Sequence, residues 1–247
     1  MYKLSHIQIK VSSIGQAIRD FQELGFTVER GGKHSKNAFI WFERGPFIEL
    51  LEMQGMYRIF GSVFGLFYGR AMHARWKKWC AKGEGMIDFA IEPSDAKRLD
   101  IRNFGQVRRE AAVRRLRPAK VITWSRTNLR GEKVRFSYLP LLPVELPFLV
   151  SAYDTPQRPV KVAHQNGAEQ IECLVLRCTQ EQQEAFRSVT RYDPSIVIKR
   201  GRKFEIAEIV VKGLRKPLPK ERLHGAVMAA EHGEAEGGKK GTDKHSS

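Results

Sequence analysis

Cys80, Cys173 and Cys178 stand in no CxxC pair, which argues against a disulfide framework and against a structural zinc site. No Ser/His/Asp or Cys/His set suggests an activated nucleophile, and no glycine-rich loop is built to cradle phosphate. His6 lies in an alternating apolar–polar run, where a lone strand histidine more often fills a core position than binds a ligand. His164 opens the run His164-Gln165-Asn166-Gly167-Ala168, in which Asn-Gly reads first as a turn. Between Gln54 and Gly85, Tyr57, Phe60, Phe64, Phe67, Tyr68, Met72, Trp76 and Trp79 recur, several at three- or four-residue spacing. That spacing fits an amphipathic helical insert whose aromatic side packs over a sheet, or covers a pocket with the same face.

The elements that must position these side chains follow from periodicity. Lys3–Lys10 alternates as a half-buried strand, with Leu4, His6 and Gln8 on one face and Ile7, Ile9 and Val11 on the other. Ser12 and Ser13 can cap a helix to about Leu24, with an apolar stripe of Ile14, Ala17, Ile18, Phe21 and Leu24 and a stop at Gly25. Strands follow at Phe26–Arg30, Asn37–Glu43 and Phe47–Met53. The order β-α-β-β-β then recurs. A strand at Met86–Glu92 leads to a helix ending near Phe104 before Gly105, and strands follow near Ala119–Arg126, Lys133–Leu139 and Leu146–Ala152. A third, partial copy begins at Gln170, with a helix from Thr179 to about Val189 and strands at Ser195–Lys199 and Lys203–Lys212. The expected class is α+β, with repeated βαβββ modules forming U-shaped mixed sheets around a cavity. The expected divisions are a first module at 1–53, the insert at 54–85, a second module at 86–160, a partial βαββ module at 161–213 and a tail at 214–247. The tail should be mostly disordered, above all from Gly233 onward.

Charge is the unusual bulk property. The net charge is +16, and from Lys97 to Arg135 thirteen basic residues stand against Asp100, Glu110 and Glu132, so this stretch carries ten of those charges. Such a potential attracts anions, including nucleic acid non-specifically through residues 97–135, although a solvated basic surface is the better explanation of it. No nucleic-acid motif accompanies it. There is no apolar run of signal-peptide or membrane-spanning length, so a cytoplasmic setting without membrane contact is expected.

The segments LSHIQIKVSSIGQAIRDFQELGFTVERGGKH, NAFIWF, PFIELLE, GEGMIDFAIEPSD, LPFLVSAYD and HQNGAEQIECLVL, in that order over residues 3–212, resemble the glyoxalase-like branch of the vicinal oxygen chelate superfamily. The resemblance implies paired modules around a cavity, many members holding a divalent metal at its floor. His6 and Glu49 match ligand positions of that pattern, and Asp88 stands at the register of His6. At the register of Glu49, Val150 is no ligand, so at most three can be assembled. Imidazole and carboxylates suit Mn, Fe, Ni or Zn. In this reading Glu49 is also catalytic. His34, Asn37, Trp41, His164 and Trp76 are expected among the substrate-binding residues. Two functions follow: a glyoxalase- or dioxygenase-like enzyme whose metal polarises substrate oxygens, or a non-catalytic protein holding an anionic or aromatic small molecule in the same cavity. The modules can pair within one chain or across a homodimer.

Overall fold

The computed structural model describes residues 1–53, 58–190 and 193–231. Twelve strands and six α-helices are found there, with two 3-10 turns, at Ile101–Asn103 and Lys220–Arg222. An eight-stranded sheet holds β1 (Tyr2–Val11), β2 (Glu29–Arg30), β3 (Asn37–Ile40), β4 (Phe47–Glu52), β5 (Gly85–Pro93), β6 (Ile122–Thr127), β7 (Lys133–Leu139) and β8 (Phe148–Val150). Their spatial order is β2-β3-β4-β1-β5-β8-β7-β6. The halves 2-3-4-1 and 5-8-7-6 repeat one arrangement about the antiparallel seam between β1 and β5, each first strand running parallel to its half's last. The chain is α+β, a curled mixed half-barrel with a second sheet. That second sheet is β10-β9-β11-β12, built from β9 (Gln170–Cys178), β10 (Ile196–Arg200), β11 (Glu205–Lys212) and β12 (Met228–Ala230).

Local chemistry explains most boundaries. Helix α1 (Ile14–Glu23) starts at Ser13, whose hydroxyl accepts from Gln16 N, and ends before Gly25 at φ +84°. Its Ile14, Ala17 and Phe21 bury against the sheet's outer face with Ile7, Ile9, Ile48 and Leu50. The other face of β1 looks into a cavity, so β1 is buried at every position but Lys3 rather than half exposed. Phe89 on the outer face meets Phe186 of helix α6 (Gln180–Thr190), which joins the second sheet to the same core.

Three expectations need correction. The second helix does not stop at Gly105. A short α4 (Ala96–Leu99) and the 3-10 turn lead into α5 (Phe104–Val113), because Phe104, Val107 and Ala111 bury one continuous stripe. The aromatic insert is a hairpin of two helices, α2 (Arg58–Tyr68) and α3 (Arg70–Trp79), hinged at Gly69 with φ +97°. Finally, residues 214–231 are not all tail: β12 pairs parallel with β11, and Leu223, Ala226 and Met228 are buried. The stretch expected to be disordered from Gly233, like Tyr57 of the insert, lies outside the described residues. Among the described residues no helix is long and apolar enough to cross a membrane.

Candidate functional site

Strand register brings the floor of the site together. In the parallel β1–β4 pair, His6 is level with Phe47 and Gln8 with Glu49, so all four side chains share one face. On the next strand Phe39 is level with Glu49, and Asn37 lies one step along the same face. Glu49 Oε2 accepts from Gln8 Nε2 at 2.9 Å, and Oε1 accepts from Asn37 Nδ2 at 2.7 Å. His6 Nε2 lies 3.5 Å from Glu49 Oε2, and the imidazole stacks on Phe47 with centroids 4.8 Å apart. Burial pushes the His6 pKa below the ordinary histidine value, against the opposing pull of Glu49, so the neutral ring is favoured. His6 Nδ1 and Gln8 Oε1 are buried with no hydrogen-bond partner among the described residues.

These side chains line a cavity of about 640 Å³. Its walls are aromatic: Trp41, Phe47, Trp76, Trp79, Phe136, Tyr138 and Phe148. Arg126 and Arg158 lie on one side, Arg126 with its guanidinium 4.9 Å from the Phe39 centroid and Arg158 donating to Phe42 O and Gly45 O. Glu92 also lines the cavity and accepts from Ser5 Oγ at 2.8 Å.

Of the expected site residues, His6, Glu49, Asn37, Trp41 and Trp76 all reach this cavity. Asp88 does not. Across the β1–β5 seam it is level with Gln8, but it is fully buried and spoken for. Arg75 of α3 donates to both its oxygens at 2.6 and 2.8 Å, Trp79 Nε1 to one at 2.7 Å, and Lys78 Nζ to the other at 3.1 Å. Burial alone would raise its pKa, yet Arg75 and Lys78 outweigh that and hold it below the usual carboxylate value. His164 is a structural clamp instead of a ligand contact. Its Nδ1 accepts from Thr27 N at 2.9 Å while Nε2 reaches Trp41 O at 3.0 Å. Burial lowers its pKa too, as suits the neutral tautomer that this pairing requires. His34 is exposed and does not line the cavity.

These commitments decide whether the residues fit a divalent metal. Asp88 is already committed to Arg75, Lys78 and Trp79, Val150 offers none of the required atoms, and His6 with Glu49 would supply only two protein ligands. Among the described residues no three His, Cys, Asp or Glu side chains gather as a metal site. The expected His6/Glu49/Asp88 triad does not fit a resident metal.

Gln8, Glu92, Arg126 and Arg158 are site residues that sequence reasoning did not put forward. Gln8 carried a usable signal, since it shares the alternating face of His6. Arg126 was hidden in the basic stretch. That stretch is dispersed in the fold: Arg98 pairs with Glu110, Arg102 with Asp100, Arg130 with Glu132 and Arg135 with Asp154.

Fold and site together define a class: two βαβββ halves joined edge to edge around one cavity. A family model for a glyoxalase-like domain matches residues 4–192, and the chain belongs to this family, within the vicinal oxygen chelate superfamily. Its fold is shared with a hypothetical protein from Staphylococcus aureus of known structure, 13% identical, with a TM-score of 0.65 over 93% of this chain and 100% of that one. The Mn(II)-bound glyoxalase from Novosphingobium aromaticivorans is 10% identical with a TM-score of 0.47, covering 89% of this chain and 67% of that one. Homoprotocatechuate 2,3-dioxygenase from Brevibacterium fuscum is 6% identical with a TM-score of 0.48, covering 85% and 63%. No curated protein matches the sequence.

Proposed function

We infer that this chain binds a small organic molecule in the cavity without the help of a resident metal. The ligand has an aromatic or apolar body and presents an O–H or N–H to the His6–Glu49 pair. The observation that carries this reading is a carboxylate beside a buried imidazole on the floor of an aromatic-walled cavity, with Asp88 withdrawn by Arg75. Aromatic walls reward burial of an apolar body at roughly 25 cal/mol per Å², while a few fixed polar groups set its orientation. Gln8 and Asn37 hold Glu49 in place from two sides, so it accepts a ligand proton without first reorganising. Where the ligand carries an acidic C–H or O–H, Glu49 is the group placed to take that proton, with His6 steadying the charge arrangement beside it. Arg126 and Arg158, which also line the cavity, favour an acidic substituent on the ligand.

A thermal-shift screen of phenols and aromatic acids, run with and without EDTA, tests this. The expected result is a ligand that raises Tm equally in both conditions and binds at least tenfold more weakly to Glu49→Gln. A ligand whose binding appears only after a divalent metal is added would sink the reading.

A further inference from the structure

Helix α2 is apolar on both sides: one side lies on α3 and the other is more than half exposed. Its inner side carries Gly61, Phe64, Gly65 and Tyr68. A Cβ at Gly61 would meet the Trp76 ring at 2.7 Å and one at Gly65 would meet His73 Cβ at 2.7 Å, so α2 lies tightly on α3 there. Phe64 packs on Trp76 with centroids 4.7 Å apart. The opposite side carries Phe60, Val63, Leu66 and Phe67, which at 100° per residue form one stripe. They are 52%, 51%, 83% and 62% exposed. Four large apolar side chains on one exposed face are more than a stable soluble surface normally leaves open.

Charge along the hairpin's own sequence has one sign. From Gln54 to Gly83 the sequence contains Arg58, Arg70, Arg75, Lys77, Lys78 and Lys82 and no acidic residue. Arg75 and Lys78 are spent on Asp88, whereas Arg70, Lys77 and Lys82 are exposed. Lys120, also exposed, donates its backbone N–H to Tyr68 O at the end of α2, adding a further cation to the rim.

We propose that the outer face of α2 docks on an anionic lipid bilayer, its apolar stripe entering the interface and its basic rim meeting the headgroups. A helix of 11 residues is about 16 Å long, too short to span a bilayer but suited to lying in its surface. Other occupants fit less well. A second copy would bring another +16 and the same basic rim against this one. Residues 232–247 contain no large apolar side chain with which to cover the stripe. A polyphosphate would answer the rim and leave the apolar stripe in water. This docking is independent of what the cavity holds.

The test is co-sedimentation of the full chain with phosphatidylcholine vesicles, with and without 30% phosphatidylglycerol, at about physiological salt. Binding should be at least tenfold tighter with phosphatidylglycerol present. Both Leu66→Glu/Phe67→Glu and Arg70→Glu/Lys77→Glu should lose at least tenfold, with melting temperatures near that of the unaltered chain. Failure to sediment with anionic vesicles, or equal sedimentation of the Leu66→Glu/Phe67→Glu variant, overturns the proposal. So does a concentration-dependent dimer in light scattering that Leu66→Glu/Phe67→Glu abolishes, since the face would then join two copies.

Discussion

His6 shows how one residue's surroundings choose its chemistry. A histidine on an exposed strand would titrate near its ordinary value, but this ring is buried between Phe47 and Phe148, and burial lowers its pKa. His164 is shifted in the same direction for the same first reason. Both rings bind protons less readily in the folded chain than in the unfolded one. Their contribution to stability is therefore intact above the unfolded histidine value, about 6.5, and is lost as pH falls below it. Melting temperature should accordingly drop between pH 7 and pH 5. The His6→Asn/His164→Asn variant should show a shallower drop in the same calorimetric series, whatever its absolute stability. An unchanged slope would mean that neither ring resists protonation. Glu49 belongs to the same scale: Glu49→Gln keeps the shape but removes the charge, so ligand affinity should fall at least tenfold while Tm moves little.

At the scale of elements, the helical hairpin matters most. Trp76 and Trp79 of α3 wall the cavity, while Arg75 and Lys78 reach Asp88 on β5. Arg75→Ala leaves the buried Asp88 carboxylate with Lys78 as its remaining cation, so it should cost up to about 3–5 kcal/mol in a denaturant melt, whereas Arg75→Met/Asp88→Leu, which leaves no buried carboxylate, should cost less. Equal losses in both variants would show that the pair contributes through packing alone. Here the limits of the sequence are plain. Alternation along β1 and the stripe of α1 could be read directly, because period and caps are local properties. The Arg75–Asp88 bond joins a helix to a strand at the opposite side of a loop, and no local pattern announces it. Gly105 misled for a related reason: glycine costs a helix only about 1 kcal/mol, and the buried stripe of Phe104, Val107 and Ala111 outweighs that. His164 likewise looked free because its partners, Thr27 and Trp41, lie more than 120 residues away in sequence.

For the whole molecule, the repeated β-α-β-β-β order was legible and the pairing of modules around a cavity came with the family resemblance, whereas the edge-to-edge joining of two halves within one chain is seen only in the fold. The role of α6 and the second sheet was less visible. Leu174, Leu176, Phe186, Ile209 and Val211 share one core with Ile7, Ile9, Phe89 and Ile91, so the second sheet covers the outer face of the first. Removing residues 193–247 takes away β10, β11 and β12 and should abolish cooperative thermal unfolding as followed by circular dichroism. A truncated chain that melts as sharply as the full one would show that the eight-stranded sheet stands alone.

On the proposed function, His6 and Glu49 act on a ligand directly, with Asp88 held by Arg75. Calorimetric titration of purified, chelator-treated protein with Mn(II) tests it most directly. No saturable heat beyond that of a His6→Ala/Glu49→Ala variant is expected. One-to-one binding of Mn(II) that this variant loses would contradict the account and restore a metal to the cavity floor.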